Sequence, residues 1–177
     1  YRNFDIYANH PPGGGVMLLE MLNVLENFNL RDMTHNSSEY IRIVSETMKR
    51  ATLDKEMFVG DPLFIDVPLE KLLSKEYASE VSNKIKKNER TFINRVTQIE
   101  PKNTTHVSVI DQEGNCVTMT HSLGMPSGVI TDGLGFMFNG CMAVFDPRPG
   151  RAGSIAPGKS RFSSLAPTIV TKDGSPH

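Results

Sequence analysis

The sequence has few cysteines, no long apolar run and no excess of either charge. Cys116 and Cys141, its only cysteines, are too few for a disulfide framework and lack Cys-x-x-Cys spacing, so we expect two buried thiols, with a single bridge between them as the alternative. The longest apolar stretch, around residues 16–25, is interrupted by Glu20 and Asn23 and is far shorter than the roughly 20 residues of a membrane span. The 19 basic and 20 acidic residues leave a net charge of -1, so no overall field attracts nucleic acid.

The histidines show no metal-binding pattern. None of the five has a second histidine four residues away or a nearby carboxylate motif, so we expect no metal site. With 177 residues, 38% of them apolar, the chain can bury a sizeable core. It begins at Tyr1 and shows no basic segment followed by an apolar one, so we expect it to be part of something longer.

The first half of the sequence has helical periodicity. Apolar residues recur every three or four positions from Met17 to Phe28. A second helix is predicted from Ser37 to about Leu53, with Asn36 as its cap, and a third from about Ser74. The predicted buried stripes are Tyr40, Val44, Met48 and Ala51 in the second helix and Tyr77, Val81 and Ile85 in the third.

From Thr104 onward the apolar period changes to two, which is typical of strands. Residues 107–110 and 116–119 alternate around a predicted hairpin turn at 111–115. Apolar side chains fall on both faces of this pattern, which favours a sheet covered by other layers, in an α/β or α+β arrangement. Further short strands are predicted at 134–138 and 165–171.

Three glycines, Gly13 to Gly15, precede the first predicted helix. Free backbone N–H groups at a helix start can bind an anion. The segment lacks the Gly-Lys-Ser/Thr ending of a phosphate-binding loop, so we favour close backbone packing as its role.

Thr104 heads the segment NTTHVSVID and raises a chemical possibility. A threonine can serve as its own catalyst only when its α-amine, which titrates near about 7.7 to 8.0, is free to act as base. Because Thr104 lies within the chain, the bond from Asn103 would first have to break, through attack of the hydroxyl on the preceding carbonyl and an ester intermediate. Without further information, a strand-forming threonine is the simpler interpretation.

The segment TTHVSVID, followed by Gly114-Asn115, resembles the start of the small subunit of γ-glutamyltranspeptidases. These N-terminal-nucleophile hydrolases cleave themselves before this threonine. The resemblance continues, in collinear order, through Asn9-His10-Pro11-Pro12-Gly13-Gly14, residues 18–25, Gly60-Asp61-Pro62, Pro157-Gly158-Lys159, Ser163-Ser164 and residues 167–170. It implies an α+β fold, part of an αββα sandwich. Residues 1–103 would end the large-subunit region, residues 104–177 would begin the small-subunit region, and together they would form one domain.

The resemblance also implies roles for individual residues. Thr104 would be the nucleophile and its freed amine the base, and Ser122 would hydrogen-bond the nucleophile. Ser163 and Ser164 would contact the α-carboxylate region of the substrate. We expect His106 to organise its strand rather than transfer protons.

The activity implied is that of a glutathione hydrolase-like γ-glutamyltransferase. The intact protein would transfer an acyl group from a small-molecule amide or γ-glutamyl substrate to Thr104, and then to water or an amine. It would need no metal or organic cofactor. Its two cleaved subunits would pair, with homo-oligomerisation left open.

Three substrate-binding positions depart from the family pattern. Gly124 stands where the transpeptidases usually have asparagine, and Cys141 and Val144 stand where Gln or Glu and Asp hold the α-amino group. A hydrogen bond to a charged group is worth roughly 1.5 to 3 kcal/mol, so its loss weakens binding about tenfold to a hundredfold.

These departures leave two alternatives open. One is a related amidohydrolase or acylase that is not specific for γ-glutamyl groups, and the other is a non-catalytic binding remnant of the fold. The family's carboxylate-binding arginine and oxyanion glycines fall outside this sequence. We therefore expect the chain alone to be inactive.

Overall fold

The computed structural model describes residues 1–93 and 104–177. Strand β1 (Asp5–Ala8) is followed by helices α1 (Gly15–Leu25), α2 (Ser38–Phe58), α3 (Leu69–Leu72) and α4 (Lys75–Lys86). The second part contains strands β2 (Thr104–Ile110), β3 (Cys116–Ser122), β4 (Pro126–Ile130), β5 (Met137–Asn139), β6 (Thr168–Lys172) and β7 (Ser175–Pro176). Helices dominate the first part and strands the second, so the predicted α+β class is confirmed.

The hydrophobic core lies among α1, α2 and α4. Its buried residues include Val16, Val24, Phe28, Ile43, Val59, Leu72, Tyr77, Ala78, Val81 and Ile85. Burying a large aliphatic side chain contributes about 1.5 to 3 kcal/mol relative to leaving it exposed, so this cluster is the main stabilising element of the helical part. The predicted start of α4 near Ser74 and its buried stripe of Tyr77, Val81 and Ile85 are confirmed. The Ser74 hydroxyl caps the helix by accepting the Tyr77 N–H at 3.1 Å.

The cap predicted for α2 is wrong by one residue. Asn36 has a positive φ of 60° and lies outside the helix, whereas the Ser37 hydroxyl accepts the Tyr40 N–H at 3.3 Å. Because Asn36 adopts the left-handed conformation, the chain turns one residue later and Ser37 takes the capping position. The helix also continues past residue 53, to Phe58.

The buried side of α2 also differs from the predicted stripe. Met48 is 55% exposed, and the side chains facing the core include Ile43, Thr47, Ala51 and Asp54. These four residues lie on one helical face because they are three or four positions apart. The prediction failed because Thr47 and Asp54 are polar, and a search for apolar residues at helical spacing does not detect buried polar ones.

A buried polar cluster joins the three long helices. Asp54 is fully buried and accepts hydrogen bonds from Arg50 Nη2 at 2.6 Å and from the Tyr77 hydroxyl at 2.7 Å. Glu20 of α1, only 2% exposed, lies against Asp54. Burial, the hydrogen bond with Asp54 and the charge of Asp54 raise the pKa of Glu20 from its ordinary 4.5 to about 9. Glu20 is therefore a neutral acid near pH 7.

Within the described residues, the strands form sheets with the orders β1-β6-β7, β2-β3 and β4-β5. The β1–β6 pair is antiparallel, with Tyr7 opposite Ile169, and so joins the beginning of the chain to its last part. Strand β6 corresponds to the prediction at 165–171, and β5 to the prediction at 134–138. Strand β4 was not predicted because Pro126 and Gly128 are residues that strands disfavour.

The β2–β3 hairpin forms as predicted, but its two faces are unlike. Asp111 closes the turn by accepting the N–H groups of Glu113 at 2.9 Å and Asn115 at 2.8 Å. One face is apolar except at the open end, where Thr105 pairs with His121, and its apolar members Val107, Val109, Val117 and Met119 are 43% to 64% exposed. The opposite face carries Thr104, His106 and Ser108 across from Ser122, Thr120 and Thr118. The prediction of apolar side chains on both faces is therefore wrong, except at the turn end of the hairpin, where Ile110 pairs with Cys116.

The cysteines also differ from each other. Cys141 is buried as predicted, whereas Cys116 is only half-buried, and both are free thiols. None of the helices in residues 1–93 and 104–177 is long and apolar enough to cross a bilayer.

We predict that Glu20→Gln flattens the pH dependence of stability. Between pH 4.5 and 9 an unfolded Glu20 is ionised and a folded one is not, so the free energy of unfolding falls as pH rises through this window. Glutamine keeps the shape and can still donate to Asp54, but it cannot ionise. Urea unfolding at pH 5 and at pH 9 measures the free energy of unfolding at each pH. The decrease between the two should be smaller in Glu20→Gln than in the wild type, by on the order of a few kcal/mol.

Glu80→Gln is the matched control. Glu80 is exposed on α4 beside Lys84, whose hydrogen bond holds the pKa of Glu80 below its ordinary value of 4.5, outside the window. This control should keep the wild-type pH dependence. Equal pH dependence in the wild type and in Glu20→Gln would contradict the assignment of Glu20 as a neutral acid.

Candidate active site

The predicted nucleophile and its predicted partner lie across from each other at the open end of the β2–β3 hairpin. Thr104 is the first residue of β2, Ser122 is the last of β3, and the register pairs them directly. The Thr104 Oγ1 hydroxyl donates to Ser122 Oγ at 3.2 Å. Two hydroxyls separated by eighteen residues of sequence thus form one hydrogen-bonded pair.

Ser122 is held from its other side by the loop that follows β3. The N–H of Gly124 donates to Ser122 Oγ at 2.9 Å. Gly124 has a φ of 66°, a left-handed conformation that glycine adopts without the steric cost of a Cβ. The Ser122 oxygen therefore receives both the Thr104 hydroxyl and a backbone donor.

Cys141 closes the space beside Gly124. A Cβ built on Gly124 would lie 2.8 Å from Cys141 Sγ, which is closer than real atoms approach. The buried thiol donates to the Leu123 carbonyl at 3.3 Å, and the Cys141 N–H donates to Asn139 Oδ1 at 3.0 Å. The structure therefore brings Thr104, Ser122, Gly124 and Cys141 into one connected group.

Val144 ends the short 3₁₀ turn that begins at Cys141. Its side chain is 43% exposed and offers no hydrogen-bond acceptor. Neither the thiol of Cys141 nor this isopropyl group can balance an ammonium charge. That these positions do not hold an α-amino group stays a prediction from the sequence.

Ser163 and Ser164 are anchored separately, against the loop before α1. The Ser163 N–H donates to the Pro12 carbonyl at 2.8 Å, and the Gly14 N–H donates to the Leu165 carbonyl at 3.0 Å. A Cβ on Gly14 would lie 2.7 Å from the Ser164 carbonyl oxygen, which agrees with the predicted packing role of these glycines. The Ser163 hydroxyl accepts the Leu165 N–H at 3.3 Å. The serine pair is thus held by backbone contacts, and its hydrogen bonds do not lead to Thr104.

A second set of polar contacts, which the sequence argument did not foresee, surrounds His106. Its Nδ1 lies 2.8 Å from Thr120 Oγ1, and its Nε2 lies 3.0 Å from Ser108 Oγ and 3.1 Å from Thr118 Oγ1. The sequence did contain a signal for this cluster: polar residues occupy alternate positions of both strands, and antiparallel pairing brings them onto one face.

The predicted scissile bond, between Asn103 and Thr104, lies outside the described residues. Within residues 1–93 and 104–177, no three His, Cys, Asp or Glu side chains are grouped so that they could hold a metal ion.

Comparison with known sequences identifies the family. Residues 1–177 match the family described as Gamma-glutamyltranspeptidase. The chain is 33% identical over 192 residues to the glutathione hydrolase proenzyme of Escherichia coli (strain K12), covering 98% of this chain and 33% of that protein. It is 36% identical over 178 residues to the acylase ACY 1 proenzyme of Pseudomonas sp. (strain V22), covering 98% of this chain and 32% of that protein.

Comparison with solved structures agrees with this result. The fold is similar to the crystal structure of cephalosporin acylase from Bacillus halodurans, with a TM-score of 0.80 and 27% identity over 99% of this chain and 32% of that chain. The chain therefore belongs to the gamma-glutamyltranspeptidase family. Both the predicted family and the predicted fold class, part of an N-terminal-nucleophile hydrolase sandwich, are confirmed. The chain spans about a third of the length of these relatives.

We predict that Gly124→Ala and Cys141→Ala are energetically coupled. Alanine at 124 should cost about 1 to 2 kcal/mol for the left-handed conformation and more for the contact with the thiol. Removing the sulfur relieves that contact, so the double variant should lose less stability than the sum of the single variants, by about 0.5 kcal/mol or more. Denaturant unfolding of the three variants and the wild type measures this coupling.

Gly128→Ala provides the control cycle. Gly128 also has a positive φ, of 76°, but a Cβ there meets nothing within 4 Å. Its substitution should add to Cys141→Ala without coupling. Additive behaviour at both glycines would show that Cys141 does not close the space beside Gly124.

Proposed function

We propose that the complete protein is a γ-glutamyltranspeptidase-like amide hydrolase and acyltransferase that cleaves itself before Thr104. The observation that supports this most directly is the hydrogen bond from the Thr104 hydroxyl to Ser122 Oγ, at the strand end to which the family resemblance assigns the nucleophile. The similarity to a glutathione hydrolase proenzyme and an acylase proenzyme supports an amide-cleaving enzyme that is made as a precursor.

The proposed chemistry proceeds through an ester on Thr104. After cleavage, the freed α-amine takes the hydroxyl proton while the threonine oxygen attacks the amide carbonyl. The amine of the substrate leaves with that proton, and the acyl group remains on Thr104. Water or an acceptor amine then attacks the ester and gives its proton to the α-amine, which passes it to the departing Thr104 oxygen as the acid or the new amide is released.

Ser122 is proposed to position the attacking oxygen. Because Ser122 Oγ accepts both the Thr104 hydroxyl and the Gly124 N–H, its lone pairs are directed by two donors at 3.2 Å and 2.9 Å. Ser163 and Ser164 are proposed to bind the carboxylate end of the substrate, since the loop at residues 9–15 holds their backbone rigidly. The small-molecule substrate and a water or amine acceptor complete the reaction.

The two cleavage products are proposed to remain associated as one domain. Residues 1–103 would contribute the end of one subunit region and residues 104–177 the start of the other. The β1–β6 pairing and the hydrogen bond from the Ser160 N–H to Asp61 Oδ2, at 2.7 Å, cross between these regions and support this arrangement.

We predict that Thr104→Ala abolishes both maturation and turnover in the complete protein. Denaturing electrophoresis should show two pieces for the wild type and one for the variant, because alanine has no hydroxyl to attack the preceding carbonyl. Amide hydrolysis should fall by at least about a thousandfold, as expected for loss of a nucleophile. Thr105→Ala, on the opposite strand face, is the control and should mature. Cleavage before residue 104 in the Thr104→Ala protein would exclude this mechanism, and absence of cleavage in the wild type would favour the non-catalytic remnant.

A second candidate concerns the acyl group. The space beside Gly124 is filled by the Cys141 thiol, and Val144 offers no charge, so neither Cys141 nor Val144 could balance the charge of an α-amino group. An acylase that accepts a chain without this amino group fits the side chains better than a strict γ-glutamyl enzyme.

We predict that γ-glutamyl and glutaryl anilides are hydrolysed with kcat/KM values within about threefold of each other, a difference of less than about 1 kcal/mol. These two substrates differ only in the α-amino group, so their ratio isolates its recognition. Initial rates of anilide release measure it. A preference of tenfold or more for the γ-glutamyl compound would show that the amino group is bound after all.

A further inference from the structure

The polar face of the β2–β3 hairpin is an unbroken ladder of cross-strand hydrogen bonds. Its three rungs are Thr104–Ser122 at 3.2 Å, His106–Thr120 at 2.8 Å and Ser108–Thr118 at 3.3 Å. The register places the members of each rung directly opposite one another. We call this face the polar ladder, and the reactive pair is its first rung.

His106 uses its two ring nitrogens in different directions. Nδ1 bonds Thr120 in its own rung, whereas Nε2 bonds Ser108 and Thr118 in the rung farther from Thr104. A neutral imidazole has one donor and one acceptor nitrogen, and hydroxyls can serve as either, so Nδ1 can bond Thr120 while Nε2 shares its one hydrogen or lone pair between Ser108 and Thr118. The imidazole therefore clamps the two strands beside the reactive pair.

We propose that His106 is a positioning residue, which holds Thr120 through Nδ1 and thereby aligns the Thr104–Ser122 pair for acyl transfer. This inference rests on the proposed function of Thr104. Thr120 is two residues before Ser122 on the same face of β3, so a shift of the second rung is transmitted to the first through one extended dipeptide. His106 is likewise two residues after Thr104 on β2. Both members of the reactive pair are thus adjacent to the clamped rung.

The position of the attacking oxygen should be sensitive to such a shift. A misplacement of about 1 Å can lower a catalytic rate about a hundredfold. The third rung is farther from Thr104, and its loss should matter less. A clamp that only stabilised the hairpin would show no such difference between rungs or between ring nitrogens.

Two substitutions of His106 separate the roles of the nitrogens. The amide of His106→Asn occupies the position of Nδ1 and keeps the contact to Thr120. The amide of His106→Gln reaches the position of Nε2 and keeps only the contacts to the third rung. In the complete protein, kcat per cleaved enzyme should fall about tenfold or more for His106→Gln at unchanged KM, and stay within about threefold of the wild type for His106→Asn.

Two substitutions in β3 provide the matched pair. Thr120→Val and Thr118→Val remove one hydroxyl each from the same strand face, with equal change in shape. The first should lower kcat about tenfold or more and the second by less than about threefold, while both change the melting temperature equally.

Other outcomes would overturn the positioning role. These are equal losses for His106→Asn and His106→Gln, equal losses for the two threonine variants, or wild-type kcat in all four. Thr104→Ala, measured in parallel, keeps the two proposals distinct. If that variant still turns over, the proposed function fails. If it is inactive while His106→Gln retains full kcat, only the role of His106 fails.

Discussion

The antiparallel register of β2 and β3 is the constraint on which the candidate site depends. It sets Thr104 opposite Ser122 and stacks two further polar pairs behind them on the same face. A slip of one residue would turn every side chain of one strand to the other face and so break all three polar pairs. The tight turn at Asp111 opposes such a slip, because its carboxylate receives backbone donors from both Glu113 and Asn115. The turn lies roughly 20 Å from Thr104 along the strands, at about 3.3 Å per residue. It nevertheless determines which hydroxyls lie opposite each other at the open end of the hairpin.

The two parts of the candidate site are held by different elements. The β2–β3 hairpin and the loop through Gly124 and Cys141 hold the Thr104–Ser122 pair, whereas the loop before α1 holds the Ser163–Ser164 segment through its backbone. That loop leads directly into α1, whose Glu20 is buried near Asp54 of α2. Because the protonated Glu20 carries no charge, α1 can pack there without a second buried anion.

Much of this architecture could be predicted from local patterns. The hairpin turn at 111–115, the start of α4 near Ser74 and the packing role of the glycines followed from turn chemistry, helical periodicity and the absence of a phosphate-loop ending. The buried side of α2 could not, because the burial of Asp54 depends on Arg50 and Tyr77, and Tyr77 belongs to a helix distant in sequence. The contrast between the two faces of the hairpin could not be predicted without the strand register. The hydroxyl residues occupy alternate positions along each strand, and only the register shows that they lie opposite one another. The roles of Ser163, Ser164, Gly124 and Cys141 remain predictions from family resemblance, to which the structure adds the contact between the last two.

The central claim is that the Thr104 hydroxyl carries the acyl group. Peptide mapping by mass spectrometry, after acid arrest of the complete, matured protein during turnover of an anilide substrate, tests it most directly. The account predicts the mass of the acyl group on a peptide whose first residue is Thr104, in an ester that hydroxylamine removes. An acyl group on another residue, or turnover with Thr104 still joined through its amine to Asn103, would contradict it.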